Sequence, residues 1–180
     1  MPNWAFGNVK VTGTREGIKS FVERFISGDE PSTVPGKRFF ARSFTEERRE
    51  QSIKDAMDRF EGKADDATAE HSFFAMFAWS VWSCVIEGYP QRNEAECITL
   101  SEACVEDHVS VEIRSTETGM CFEEHVTCDE NGNLNHTERD LIRCKCRKCG
   151  EISHFGSFED LDEAECPECG NRGFNCCEEV

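Results

Sequence analysis

Two cysteine pairs, Cys146-x2-Cys149 and Cys166-x2-Cys169, stand sixteen residues apart near the end of this 180-residue chain. Two residues between cysteines let both thiolates of a tight turn face one ion. A glycine follows each second cysteine (Gly150, Gly170), freeing the backbone to adopt positive φ and aim N–H groups at sulfur. Pro167 stiffens the second knuckle. Two such knuckles give a tetrahedron of four sulfurs with no position open to water, the arrangement of structural zinc. The spacing therefore predicts a zinc ribbon over 141–180 holding one structural Zn2+ through Cys146, Cys149, Cys166 and Cys169. Iron is the chemical alternative, since rubredoxin-like sites use the same knuckles. A redox or disulfide role would need one pair, and four thiols in this spacing point instead to an ion. Three neighbours, Cys144, Cys176 and Cys177, are possible additional metal ligands: Cys144 can replace Cys146, Cys176 and Cys177 can close a second site, or all three stay as thiols beside the knuckles. A segment of about forty residues buries too little apolar surface to fold alone, so the metal is expected to stabilise it around Phe155, Phe158 and Phe174.

The other 140 residues are long enough for one ordinary domain. Apolar residues make up 38% of the chain and 14 are Phe, so a core is expected. Five cysteines, Cys84, Cys97, Cys104, Cys121 and Cys128, are scattered through this region and read as small buried hydrophobes. The opening Met-Pro-Asn-Trp lacks the basic-then-apolar pattern of a secretory leader, and no apolar run nears the roughly 20 residues that cross a bilayer. Clustered cysteines without such a leader suit a reducing compartment, so a cytoplasmic protein with no membrane association is expected.

Net charge is −16, and both parts of the chain are acidic. Bulk electrostatics thus opposes DNA, RNA and anionic lipid, and direct nucleic-acid binding is not expected. The charge favours basic protein partners, and equally serves solubility. One basic cluster stands out: Arg143, Lys145, Arg147 and Lys148. It can meet a nucleic-acid backbone or offset the charge that four thiolates leave on zinc.

Periodicity sets the element order. A strand is predicted over 4–12, then a helix capped by Thr14 with Ile18, Phe21, Val22, Phe25 and Ile26 on one stripe and Gly28 at its end. A short strand over 37–42 precedes a second helix, with Ser43 and Glu46 as a capping box or Thr45 as N-cap, and with Ile53, Ala56, Met57 and Phe60 inward. Residues 63–70 read as linker. Residues 73–84 read as a buried central strand in which Trp79 and Trp82 fill core. A helix over 98–107 follows. Val109, Val111 and Ile113 alternate in one strand, and Met120, Phe122, Val126 and Cys128 in the next. Asn131-Gly132 is a hairpin signal that brings 134–144 back alongside. The plan is α+β, helices on one face of a largely antiparallel sheet, with a boundary near residue 140.

Catalytic templates are missing: the sequence holds no G-x-S-x-G, phosphate-binding loop, dinucleotide fingerprint or H-E-x-x-H. Cys104 with His108, and Cys121 and His125 on one face of a strand with Cys128 on the other, are conceivable Cys–His arrangements that match no catalytic spacing. A non-enzymatic protein is expected.

Met1-Pro2-Asn3-Trp4 with its strand and helix, then Ala78-Trp79-Ser80, then Gly119-Met120-Cys121-Phe122, resemble the YubB-like proteins of phages and other mobile elements. The likeness covers about residues 1–135 and departs after Trp79, where 81–97 is longer; the ribbon is an addition. The resemblance implies a ferredoxin-like domain over 1–140, a mobile-element source and no catalytic residues. Together with the charge it suggests an inhibitor of a host defence protein, most concretely an anti-CRISPR protein. Such a protein would bind a basic CRISPR effector nuclease near its positively charged heteroduplex channel and block nucleic-acid loading. The acidic faces of helices 14–27 and 45–61 would make contact. The alternatives are a nucleic-acid-associated accessory factor using the ribbon, and an enzyme built on Cys121, His125 or nearby carboxylates.

Overall fold

The computed structural model describes residues 3–26, 38–39, 46–64, 66–86, 97–156, 160 and 164–176. The chain runs β1 (Trp4–Thr14), α1 (Arg15–Ile26), α2 (Glu46–Asp58), β2 (Thr68–Ala78), a π-helical turn (Trp82–Ile86), α3 (Leu100–Asp107), β3 (Ser110–Glu117), β4 (Phe122–Cys128) and β5 (Leu134–Asp140). Three short strands follow: β6 (Ile142–Cys146), β7 (Ile152–Phe155) and β8 (Phe174–Cys176). The fold is α+β with two antiparallel sheets. The first has order β2-β1-β3-β4-β5, the second β7-β6-β8.

Alternation in β1 decides which face is covered. Ala5, Val9 and Val11 are buried while Phe6, Asn8 and Thr12 are exposed. The same parity continues through Phe73, Ala75 and Phe77, through Val111 and Ile113, and through Val126 and Cys128. Helices cover that face; the opposite face is open to solvent. Thr14 accepts from the Gly17 N–H at 3.3 Å and starts α1, whose Ile18, Phe21, Val22 and Phe25 are all buried. Phe25 sits at the centre, its ring 5.1 Å from those of Phe39 and Phe73 and 5.8 Å from Phe77. Gly17 lets α1 cross the end of α3: a Cβ there would lie 2.3 Å from the Asp107 carbonyl oxygen. That approach brings the Ser20 hydroxyl and the Arg24 guanidinium to Asp107, at 2.7 and 3.1 Å.

β1 is antiparallel to both β2 and β3, so β2 and β3 run parallel on either side of it. The π-helical turn and α3 make that crossover. α3 opens with a complete capping box: Thr99 accepts from the Glu102 N–H at 3.3 Å, and Glu102 accepts from the Thr99 N–H at 2.8 Å. β3, β4 and β5 then form a meander. Gly132, at φ +79°, turns the last hairpin, and Asp129 accepts from the Asn131 and Asn133 N–H groups at 2.9 Å.

Several sequence expectations are corrected. The strand placed at 73–84 starts earlier, at Thr68, and ends at Ala78. Trp79 adopts φ +69°, which breaks the extended run, and Trp82 lies on the π-helical turn, 37% exposed, rather than in the core. Met120 is not in β4 but in the turn before it, and is exposed. Residues 142–144 do not extend the hairpin; they begin β6 in the second sheet. The expected strand at 37–42 is described only at Arg38 and Phe39, where Arg38 bridges Cys97 in parallel. Gly28, Ser43 and Thr45, and the side chains of Ile26 and Glu46, lie outside the described residues.

Candidate metal centre

β6 delivers Cys146 at its last position, and the chain turns at once into the first knuckle. Gly150, at φ +81°, donates to the Cys146 carbonyl at 3.0 Å, and the Cys146 N–H donates to Glu151 O at 2.8 Å. The second knuckle repeats this geometry. Gly170, at φ +66°, donates to Cys166 O at 2.9 Å, and the Cys166 N–H donates to Asn171 O at 2.9 Å. Both glycines sit where an L side chain is strained, as the sequence suggested.

The knuckles face each other. Cys146 Sγ lies 3.7 Å from Cys169 Sγ, Cys149 Sγ lies 3.5 Å from Cys166 Sγ, and all four sulfurs fall within 4.8 Å of one another. A tetrahedral shell with metal–sulfur bonds of about 2.3 Å has edges of about 3.8 Å, so the sulfurs stand where such an ion would hold them. The donor set fits a metal ion. The Lys148 N–H and the Asn171 amide point at Cys146 Sγ, at 3.4 and 3.8 Å. N–H groups of Cys149 and Lys148 hold the Cys146 thiol down at about 6, in spite of burial. The Glu151 N–H lowers Cys149 as well, but desolvation and the three other sulfurs outweigh it and push that thiol up to about 12. Crowding four sulfurs without a cation thus keeps at least one proton in the cluster.

Around the sulfurs the core is small: the Phe155 and Phe174 rings meet at 5.0 Å, with Ile142 and Ala164 beside them. Phe158 lies outside the described residues. Cys144 is fully buried on the inward face of β6, opposite Cys176 of β8, and is not one of the four grouped sulfurs. The Cys176 side chain and Cys177 lie outside the described residues. Of the basic cluster, Arg143, Lys145 and Lys148 are exposed, while Arg147 donates to Phe174 O and Asn175 Oδ1, at 3.0 and 2.8 Å, and ties the first knuckle to β8.

The Cys–His arrangements do not assemble. Cys121 lies in the turn before β4, at φ +58°. His125 projects from the open sheet face and meets Glu112 at 2.9 Å. Hydrogen bonds from Lys10, Arg114 and His125 hold that carboxyl down at about 2. Cys104 is buried, whereas His108 is an exposed left-handed C-cap. Cys84, Cys97, Cys104 and Cys128 are buried, and burial pushes the Cys84 thiol up to about 12, so it is a weak nucleophile. Sequence reasoning missed a second cluster of ligand-type side chains, Glu124, His136 and Glu138. Its signal lay in the hairpin: with the turn at Asn131-Gly132, residue 124 stands opposite 138 and residue 126 opposite 136.

This is an α+β protein with a candidate metal centre, four cysteines grouped closely enough to hold one ion. Compared with known proteins, it has no significant match to a family model, a curated protein or a solved structure. No helix among the described residues is long and apolar enough to cross a membrane.

Proposed function

We propose that the chain is a non-enzymatic, zinc-binding, acidic protein that binds and inhibits a basic host defence protein. Its most concrete form is an anti-CRISPR protein that occupies or flanks the nucleic-acid channel of a CRISPR effector nuclease in the bacterial cytoplasm. Zinc is the ion proposed at Cys146, Cys149, Cys166 and Cys169, because four thiolates in a closed tetrahedron suit it. The ribbon's role is structural. The proposed YubB-like, ferredoxin-like relationship is supported by helices on one sheet face and by the parallel β2–β3 crossover around β1. The described connection order, with β3, β4 and β5 as a meander, differs from β-α-β-β-α-β.

The observation that carries the reading is where the acid lies. α1 is not acidic: it has Arg15, Lys19 and Arg24 against Glu16 and Glu23. An acidic surface patch lies instead on the β4–β5 hairpin and its flanks, where Glu123, Asp129, Glu130, Glu138 and Asp140 are at least partly exposed beside Arg139 alone. β5 is an edge strand. Such an edge speeds encounter with a basic groove. The test pairs elemental analysis with binding to a guide-free effector nuclease. We expect one zinc per chain, salt-sensitive binding to the effector, and at least about tenfold weaker binding on Glu130→Lys with Asp140→Lys. Binding that ignores both substitutions and salt would overturn the reading.

A second reading has its own observation. Arg143 and Lys145 share the outward face of β6, with Lys148 exposed beside them. An accessory factor would use them on a nucleic-acid backbone. Tight, salt-sensitive DNA binding, lost on Arg143→Glu, Lys145→Glu and Lys148→Glu, would favour it over the inhibitor.

A further inference from the structure

Glu124 is a carboxylate with no exposed side-chain surface, on the helix-covered face of β4. Its Oε2 accepts from the Val81 N–H at 2.7 Å and from the Ser115 hydroxyl at 3.3 Å. Its Oε1 accepts from the Trp82 N–H at 3.1 Å. Three of its four lone-pair directions are thus filled by donors fixed to the sheet and to the π-helical turn. The fourth faces His136 Nε2, 3.0 Å away on β5. Trp82 packs on the His136 ring at 5.0 Å and orients it. Glu138, directly across from Glu124, completes the group, and the three ligand atoms lie within 4.8 Å of one another.

We propose that Glu124, His136 and Glu138 form a second metal site, for a single divalent ion such as Mn2+, separate from the four cysteines. Two carboxylates beside one imidazole repel each other at the edge of a buried site, and a lone imidazolium offsets just one of them. Among the described residues Glu138 makes no ion pair. A divalent cation neutralises both. The geometry allows it: two ligands in neighbouring positions of an octahedral shell with bonds of about 2.1 Å stand about 3.0 Å apart, as Glu124 Oε1 and His136 Nε2 do. The ion would take the place of the proton between them without disturbing the three donors to Glu124. Those donors and the Trp82 ring act as the outer support that fixes ligand orientation in metal sites. Glu138 is exposed, so the remaining coordination positions open to water. One nitrogen with two oxygens suits Mn2+, which the four thiolates do not favour.

That difference in softness makes the test clean. Full-length protein with its cysteine centre loaded with zinc is titrated with Mn2+, reading free Mn2+ by electron paramagnetic resonance and bound Mn2+ by tryptophan quenching through Trp82. We expect one saturable Mn2+ per chain. Glu138→Gln, at an exposed position, and His136→Gln should each weaken it about tenfold or more while zinc content and circular dichroism stay unchanged. No saturable binding at millimolar Mn2+, or binding equally tight in both variants, would overturn the site.

Discussion

The two sheets are stabilised by different means. The five-stranded sheet closes over one continuous apolar core, with Phe21, Phe25, Phe39 and Phe77 among its fully buried side chains. The three-stranded sheet has a buried cluster of Cys144, Cys146, Cys166 and Phe174. Three of its four members are cysteines, two of them metal-ligand candidates. One region therefore closes by removing apolar surface from water, while the other brings four sulfurs together where an ion could be held. They meet at Leu141, whose N–H donates to Cys121 O at 2.6 Å, and at Gly156, which lies against the Arg139 guanidinium.

The sharpest way to break this comparison is to remove the metal. Apparent binding energies of structural zinc in small peptides are about 10–16 kcal/mol at neutral pH, far more than Phe155 against Phe174 can supply. Chelation, or Cys166→Ser, should abolish amide protection in β6, β7, β8 and the two knuckles and leave that of β1–β4 near its original level, read by hydrogen exchange with mass spectrometry. Equal loss in both regions would mean the larger sheet depends on the ion too. Acid should act the same way. Ion binding must displace the proton that desolvation and the neighbouring sulfurs hold on Cys149, whose thiol is pushed up to about 12. Ion affinity should therefore fall at least about tenfold for each pH unit of acidification, measured by competition with a chromophoric chelator.

The counterpart in the larger sheet is Phe25→Ala. Its ring is fully buried among Phe21, Phe39, Phe73 and Phe77, so truncation should cost about 3–5 kcal/mol, seen as a lowered urea midpoint. Metal content should not change. A variant that lost its ion as well would show that the ribbon borrows stability from this core.

A smaller effect concerns acid sensitivity of the larger sheet. His71 is buried on β2, both ring nitrogens lack hydrogen-bond partners among the described residues, and its ring packs on Phe73. Burial lowers its pKa below 6.5; Arg59 of the segment after α2 lowers it further, and Asp55 of α2 opposes them. With the folded value below the unfolded one, the unfolded chain takes up the proton first. Stability is full above about pH 6.5 and declines as pH falls from there toward the folded value. His71→Phe should flatten the dependence of urea midpoint on pH between about 7.5 and 5, without altering chelation behaviour. An unchanged slope would assign acid sensitivity to the thiols alone.

The metal-ligand candidates were legible because their signal is local: a knuckle is a five-residue event, and spacing alone brings its two sulfurs together. α1 was legible for a similar reason, its stripe being continuous. The end of β2 was not. Residues 73–84 are apolar but for Ser80 and Ser83, so no change of period marks where strand gives way to turn, and no sequence signal announces φ +69° at Trp79. Glu124, His136 and Glu138 escaped because their proximity depends on hairpin register, and single acidic residues in a chain with 36 of them carry no signal. The charge of α1 shows the same limit, since net charge says nothing about where the carboxylates gather.

The mildest test asks whether local signals also matter energetically in the larger sheet. The Thr99 hydroxyl accepts the Glu102 N–H and the Glu102 carboxylate accepts the Thr99 N–H, so the box satisfies two backbone donors at the start of α3. α3 has only eight residues, too short to hold as an isolated helix. Yet Leu100, Ala103 and Cys104 anchor it in the core, and its last residue Asp107 receives Ser20 and Arg24. Thr99→Ala should therefore cost about 0.5–2 kcal/mol rather than unfold the helix, with raised hydrogen exchange confined to the first turn of α3. Loss of protection through Asp107 would mean that the cap, not the core, decides whether α3 forms. The two regions would then be alike in depending on a few local hydrogen bonds.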